Sequence, residues 1–203
     1  MTLPRQLGLF GGGEPAFDAT FSKLERTVLS AHAWLDYAPG WLSGHEALFS
    51  LLATSVHWRK EKRTMYERIV EVPRLVAGLP ADGPVPPVLT QAGLALSARY
   101  GEELSRIGLG FYRDGSESVA WHGDYVAREL PNALVVTVSV GGPRRFLVRP
   151  KGGGQSLALS LGWGDLLVMG GSTQRTFEHS IPKVTHAPPR IAIMFRPVWE
   201  KSR

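Results

Sequence analysis

His122 and Asp124 stand two apart in Trp121-His122-Gly123-Asp124, within a run whose residue types suit a strand. Alternate residues of a strand project from one face, so an imidazole and a carboxylate spaced this way converge on one ion. A second imidazole comes from His179, in Glu178-His179-Ser180-Ile181-Pro182-Lys183. Farther along, Arg190-Ile191-Ala192-Ile193-Met194-Phe195-Arg196 carries two arginines six apart on another strand-like run. By the same period Arg190, Ala192, Met194 and Arg196 share a face, which lets both guanidinium groups enter the pocket that holds the ion. A planar guanidinium grips a carboxylate through two parallel hydrogen bonds. The residues describe a metal site beside an anion site.

Two imidazoles and one carboxylate on one face of an octahedral ion form the facial triad of non-haem Fe(II) oxygenases, with positions left open for a cosubstrate and O₂. A dicarboxylic cosubstrate that chelates the iron at one end needs a cation at the other, and Arg190 is assigned that salt bridge. The chain has no cysteine, which removes disulfides and thiolate metal sites and leaves His and carboxylate as the available ligands.

The elements that must position these groups are mostly strands. After Ser105, strands are expected over 106–112, 118–122, 133–140, 144–149, 156–160, 165–169 and 190–196, separated by Gly and Pro turns. Short strands so spaced predict a jelly roll, a double-stranded β-helix of cupin-like type. The run Ala133-Leu134-Val135-Val136-Thr137-Val138 is too continuously apolar for a half-exposed sheet, so N-terminal helices are expected over one face. Ser43-Gly44-His45-Glu46 reads as a capping box that opens a helix over 44–58. A second helix is expected from Pro87 to Tyr100, with Val88, Leu89, Leu94 and Leu96 as its apolar positions. The fold class is thus mainly β with N-terminal helices (α+β). One catalytic domain is expected over 21–203, preceded by a flexible segment over 1–20 whose Gly11-Gly12-Gly13 marks a joint.

The order of these parts resembles the AlkB-type family of Fe(II)- and 2-oxoglutarate-dependent dioxygenases, particularly its bacterial alkylation-repair members. The resemblance runs from about Trp58 to Arg196. Its carriers are Tyr112-Arg113-Asp114-Gly115, Trp121-His122-Gly123-Asp124, His179-Ser180-Ile181-Pro182-Lys183 and the strand from Arg190 to Arg196. It implies that His122, Asp124 and His179 ligate Fe(II) and that Tyr112 donates its hydroxyl to a 2-oxoglutarate carboxylate. It also implies that Arg190 pairs with the distal carboxylate and that Arg196 supports the cosubstrate or the target base. A nucleotide-recognition lid is implied within 43–104, with Met65, Tyr66 and Arg74 as substrate-binding residues. Tyr125 and Glu129, just after the metal motif, are candidates for a wall against a cationic methylated base. The implied reaction is oxidative demethylation of N-alkylated nucleobases in DNA, of the 1-methyladenine and 3-methylcytosine type. In this DNA-repair reaction 2-oxoglutarate becomes succinate and CO₂, and the methyl group leaves as formaldehyde. The family often has Asn at the places of Gly110 and Ala192, so two amide contacts to the cosubstrate are absent here.

Lys and Arg number 23 against 18 for Asp and Glu, a formal charge of +5 that favours an acidic partner such as nucleic acid. In the segment from Trp58 to Arg68, cations for phosphates lie beside the side chains of Met65 and Tyr66, which suit contact with a base. Arg144, Arg145, Arg149 and Lys151 form a second basic cluster, read as a solvated strand edge. Gln6-Leu7-Gly8-Leu9-Phe10 resembles the short peptide by which bacterial replication and repair proteins dock on the sliding clamp, with Gln6, Leu9 and Phe10 as the contacts. No apolar run is long enough to span a membrane and no secretory signal is evident, so a cytoplasmic monomer is expected. Two other functions stay open at this point. One is a 2-oxoglutarate-dependent hydroxylase of a small metabolite, and the other is a nucleic-acid-binding module with a vestigial metal site.

Overall fold

The apolar run that needs cover on both faces receives helices on one side and a second sheet on the other. The computed structural model describes residues 13–65, 68–79, 84–124 and 127–198. In chain order the first strands are β1 (Ala16–Phe17), β2 (Glu25–Ser30), β3 (Ala33–Ala38) and β4 (Leu42–Ser43), followed by helix α1 (His45–Ser55). The hairpin strands β5 (Arg59–Met65) and β6 (Arg68–Leu79) then lead to helix α2 (Pro87–Tyr100). The remaining strands are β7 (Arg106–Tyr112), β8 (Val119–His122), β9 (Val135–Gly141), β10 (Arg144–Pro150), β11 (Leu157–Leu161) and β12 (Leu166–Gly171). A short helix α3 (Thr173–Thr176) precedes β13 (Phe177–Ile181) and β14 (Arg190–Arg196). The larger sheet has eight strands in the order β2-β3-β12-β9-β14-β7-β6-β5, the smaller has four in the order β11-β10-β13-β8, and β1 pairs with β4. Two antiparallel sheets face to face give the expected jelly-roll core.

Strand parity divides the interior in two. From β9 and β14, residues Val136, Val138, Val140, Ile191, Ile193 and Phe195 join Leu48, Leu52, Leu89 and Leu96 in a core under the helices. On the opposite faces, Val135 and Ala192 join Phe146, Val148, Leu161 and Ile181 of the smaller sheet. The polar members of that inner face, Thr137, Ser139 and Arg190, are buried among them. The inner face is where the site forms.

Several local expectations are corrected. Ser43 does not cap α1: it ends β4, and its hydroxyl donates to the Ala16 carbonyl at 3.2 Å. The cap position is Gly44 in the left-handed region at φ 63°, where a β-carbon would lie 2.6 Å from the Gly13 carbonyl oxygen. Close approach of the Gly13 and Glu14 backbone selects glycine there, and α1 ends at Ser55 rather than at 58, with Val56 extended. In α2, Leu94 is 67% exposed, and Ala92 and Gly93 take the buried face with Leu89 and Leu96. Of the stretch 1–20 set apart as flexible, residues 1–12 lie outside the described residues. Residues 13–20 are tied down by the β1–β4 pairing, by Phe17 against Trp41 at 5.0 Å and by the Trp41 indole donating to the Asp18 carbonyl at 2.8 Å.

Strands β2 and β3 were not foreseen. They are joined to α2 through Asp36, which is fully buried and accepts two hydrogen bonds from Arg26, at 2.6 and 2.8 Å, and one from the Tyr100 hydroxyl at 2.9 Å. The basic cluster of β10 is not a solvated edge either, because β10 lies between β11 and β13. Arg144 is 2% exposed and donates to the carbonyls of Asp114, Glu117 and Pro182, so it ties the 114–117 loop to the residue after β13. Arg149 lies 3.9 Å over the Trp121 ring and pairs with Glu178 at 2.6 Å. Among the described residues, no helix is long and apolar enough to cross a membrane.

Candidate active site

Strands β8 and β13 run antiparallel with His122 directly opposite His179, and their ring centroids lie 4.3 Å apart. Asp124 follows His122 by two residues, and one ligand atom from each of the three lies within 4.8 Å of the others. The His122 Nδ1 contacts the Ala120 carbonyl oxygen at 2.8 Å. A carbonyl only accepts, so Nδ1 carries the proton and Nε2 is left for a metal. Burial, then the neighbouring His122, lowers the His179 pKa to about 3, and burial lowers that of His122 as well. Both rings are therefore neutral near pH 7, as metal ligands must be. The Asp124 amide donates to Gln174 Oε1 at 2.9 Å. Its Oδ2 lies 2.8 Å from Arg196 Nε in an ion pair whose alignment falls short of a hydrogen bond. Between the ligands, Gly123 is required by contact, since a β-carbon there would sit 2.4 Å from the Gln174 carbonyl oxygen.

The anion half lies on the larger sheet. Arg190 pairs across strands with Tyr112 and is 1% exposed. Its Nη2 donates to Ser139 Oγ at 2.7 Å, while Nε and Nη1 are buried with no hydrogen-bond partner. Burial lowers its pKa to about 10, still far above neutrality, so a charged guanidinium sits in the interior with two donor nitrogens free. The guanidinium carbons of Arg190 and Arg74 lie 5.5 and 5.8 Å from the centroid of the Tyr112 ring. A buried cation in this condition needs an anion.

One cavity of about 890 Å³ joins the halves. His122, Asp124, His179, Tyr112, Arg190, Arg196 and Arg74 all line it, with Phe146, Ile181 and Val119 among its apolar walls. Glu129 is exposed on a single turn of 3-10 helix, Ala127–Glu129, and is not a lining residue. Met65 ends the outermost strand of the hairpin. Tyr66, Tyr125, Gln6, Leu9 and Phe10 lie outside the described residues. Sequence reasoning missed Ser139 and Gln174. The signal for Ser139 was available, since Thr137 and Ser139 are the two polar residues in the apolar run of β9 and fall on one face by the period of two. Gln174 carried none.

The chain belongs to the 2OG-Fe(II) oxygenase superfamily, which residues 82–196 match. Its relatives there are of AlkB type. It is 28% identical over 192 residues to the alpha-ketoglutarate-dependent dioxygenase alkB homolog 3 of Bos taurus, a match covering 81% of this chain and 66% of that protein. It is 33% identical over 103 residues to the mouse protein of the same name, covering 46% of this chain and 36% of the relative. The matches thus span less than two thirds of the relatives' own length. The solved structure of OsALKBH1 superposes with a TM-score of 0.53 at 16% identity, covering 85% of this chain and all of that one. A 2OG-Fe(II) oxygenase family oxidoreductase from Burkholderia pseudomallei gives 0.53 at 14% identity, covering 80% and 84%. At these identities the superpositions speak for the fold.

Membership makes Fe(II), 2-oxoglutarate and O₂ the expected reactants, and the residues fit them. Two neutral imidazoles and a carboxylate face one point. Arg190, with two donor nitrogens free, lines the same cavity.

Proposed function

We propose that the protein is an Fe(II)- and 2-oxoglutarate-dependent dioxygenase that demethylates N-alkylated nucleobases, of the 1-methyladenine and 3-methylcytosine type, in DNA. The observation that carries this reading is the single cavity with the His122, Asp124 and His179 cluster at one side and the buried Arg190, two of its nitrogens free, at the other. The likeness to alkB homolog 3 proteins and the net charge of +5 support nucleic acid as the substrate class. At about 890 Å³ the cavity lies near the upper end of ligand pockets, which leaves room for a base beside a small dicarboxylate.

When bound, the metal and cosubstrate supply oxidation of a methyl C–H bond: substrate, O₂ and 2-oxoglutarate become demethylated base, formaldehyde, succinate and CO₂. The chain's own residues do the positioning. His122 is held in one tautomer by the Ala120 carbonyl, Arg196 holds Oδ2 of Asp124, and Arg190 with Tyr112 receives the distal carboxylate. Phe146, Ile181 and Val119 keep water from the reacting centre. The target base must leave its stack to reach this depth, so single strands or an extruded base serve as substrate.

The test is turnover of a panel of methylated oligonucleotides by the Fe(II)-loaded protein, reading formaldehyde and succinate together. Equal release of both supports the proposal. Succinate release stimulated only by a small metabolite would assign a hydroxylase instead, and binding of oligonucleotide without either product would leave a binding module.

A further inference from the structure

The floor of the cavity has a feature that the metal and Arg190 do not use. On β7, Gly108, Gly110 and Tyr112 share the inner face, and across from them on β14 stand Met194, Ala192 and Arg190. The pair Gly110 and Ala192 therefore leaves the middle of the floor without bulk, where the family resemblance leads one to expect amides. That space is taken from the neighbouring strand. A β-carbon built on Gly110 would lie 3.4 Å from Arg74 Nε and 3.6 Å from its Cδ, so the Arg74 side chain rests flat over the glycine. Among the described residues no hydrogen bond or ion pair is found for this side chain, whose guanidinium carbon lies 5.8 Å from the Tyr112 ring centroid. It lines the same cavity as His122, His179 and Arg190. A cation lining the same cavity as the metal ligands and Arg190, with no carboxylate partner among the described residues, is placed for a dianion lying along the floor.

We propose that Arg74, seated over Gly110, is a second cosubstrate-binding arginine, which pairs with one carboxylate of 2-oxoglutarate while Arg190 holds the other. This rests on the functional reading above. It makes Gly110 part of the device, because a β-carbon there would already touch Arg74 and a longer side chain such as Asn would extend into its volume, and it explains how a chain lacking the two amides keeps an anion site. The residue is a positioning group for the cosubstrate and has no part in the oxidation itself.

The test is calorimetric titration of 2-oxoglutarate into the full chain loaded with Mn(II), which reads binding without turnover. Arg74→Ala should weaken binding about tenfold or more, the scale of one lost hydrogen bond between charged groups. Arg74→Lys, which keeps the charge and disturbs packing least, should fall between it and the parent. Gly110→Asn should weaken binding in the parent by displacing Arg74, yet strengthen it in the Arg74→Ala background, where the amide has room. That reversal of sign is the signature of shared space. If Arg74→Ala and Arg74→Lys both bind 2-oxoglutarate as the parent does while Arg190→Ala does not, the inference fails and the functional reading stands. If Arg190→Ala also binds normally, the anion pocket itself is misassigned. Loss of methylated oligonucleotide binding alone in Arg74→Ala would move this arginine to the substrate side and overturn the proposal.

Discussion

The two halves of the cavity are organised by opposite means. The metal half is held by bonds that the protein makes with itself: His122 to the Ala120 carbonyl, the Asp124 amide to Gln174, and the Asp124 carboxylate against Arg196. The anion half is left wanting, with Arg190 buried and two of its nitrogens without partners. A ligand set that must exclude the wrong geometry gains from being rigid beforehand, whereas a site that must release succinate and take up a new dianion gains from unmet charge. The difference predicts that damage to the two halves will look different in stability as well as in activity.

The largest effect belongs to the metal half. His122→Ala, Asp124→Ala and His179→Ala should each abolish detectable succinate formation and sharply weaken metal binding, because two ligands leave the facial set incomplete. Metal content after dialysis and succinate release check this, and a variant with normal values for both would remove that residue from the triad. Next, Arg190→Met should raise the 2-oxoglutarate constant by about a hundredfold, on the scale of two charge-assisted hydrogen bonds. The same variant without ligand should melt at the parent's temperature or above it, since an unpaired buried charge is removed. Its sign with pH follows from the cause. Burial depresses the folded-state pKa of Arg190 to about 10, below the usual value of a guanidinium, so the cost of burying it charged is present at every pH below about 10. Thermal melts of parent and variant across pH 6 to 9, run with and without 2-oxoglutarate, read both effects, and a ligand-free Arg190→Met that melts far below the parent would overturn the contrast.

For the remaining candidates the expected effects shrink. Met65→Ala combined with Tyr66→Ala should weaken binding of methylated single strands several-fold and leave uncoupled 2-oxoglutarate turnover intact, as expected of side chains that touch the base alone. Equal loss of both would place Met65 and Tyr66 in the cosubstrate site. The smallest effect concerns the N-terminus. A peptide containing Gln6, Leu7, Gly8, Leu9 and Phe10 should bind a bacterial sliding clamp weakly, and Leu9→Ala with Phe10→Ala should remove that binding while demethylation of free oligonucleotides continues unchanged. Titration of the peptide to high micromolar concentration decides it.

Of the strands that carry the site, β7, β8 and β14 were legible because each alternates chemically useful residues with apolar ones, whereas β13 with His179 and β6 with Arg74 were not among the expected strands. Strands β7 and β14 fall where the sequence places them, and the His122, Asp124 and His179 cluster assembles as their spacing implies. Strands β2 and β3 were not legible, for two reasons. Glu25-Arg26-Thr27-Val28 of β2 is exposed throughout, an edge with no apolar period to read, and β3 contains a charged residue, Asp36, in a fully buried place. Only the tertiary meeting of Asp36 with Arg26 and Tyr100 makes that placement tolerable. Arg144 misleads for the same reason, since a lone arginine in a basic stretch carries no local sign that three carbonyl groups await it. The false capping box at Ser43 shows the reverse case, a local signal overruled by a distant strand.

Strand β14 carries two texts on alternate letters. Ile191, Ile193 and Phe195 spell the core beneath the helices, while Arg190, Ala192, Met194 and Arg196 spell the site. Point substitutions edit one text and spare the other, so the pocket is free to diversify while the scaffold is conserved in character. Insertion or deletion of a single residue within the strand is a frameshift for both, because it turns the arginines under the helices and the apolar side chains into the cavity. Variation in length is therefore expected in the turns that flank β14 and forbidden within its seven residues.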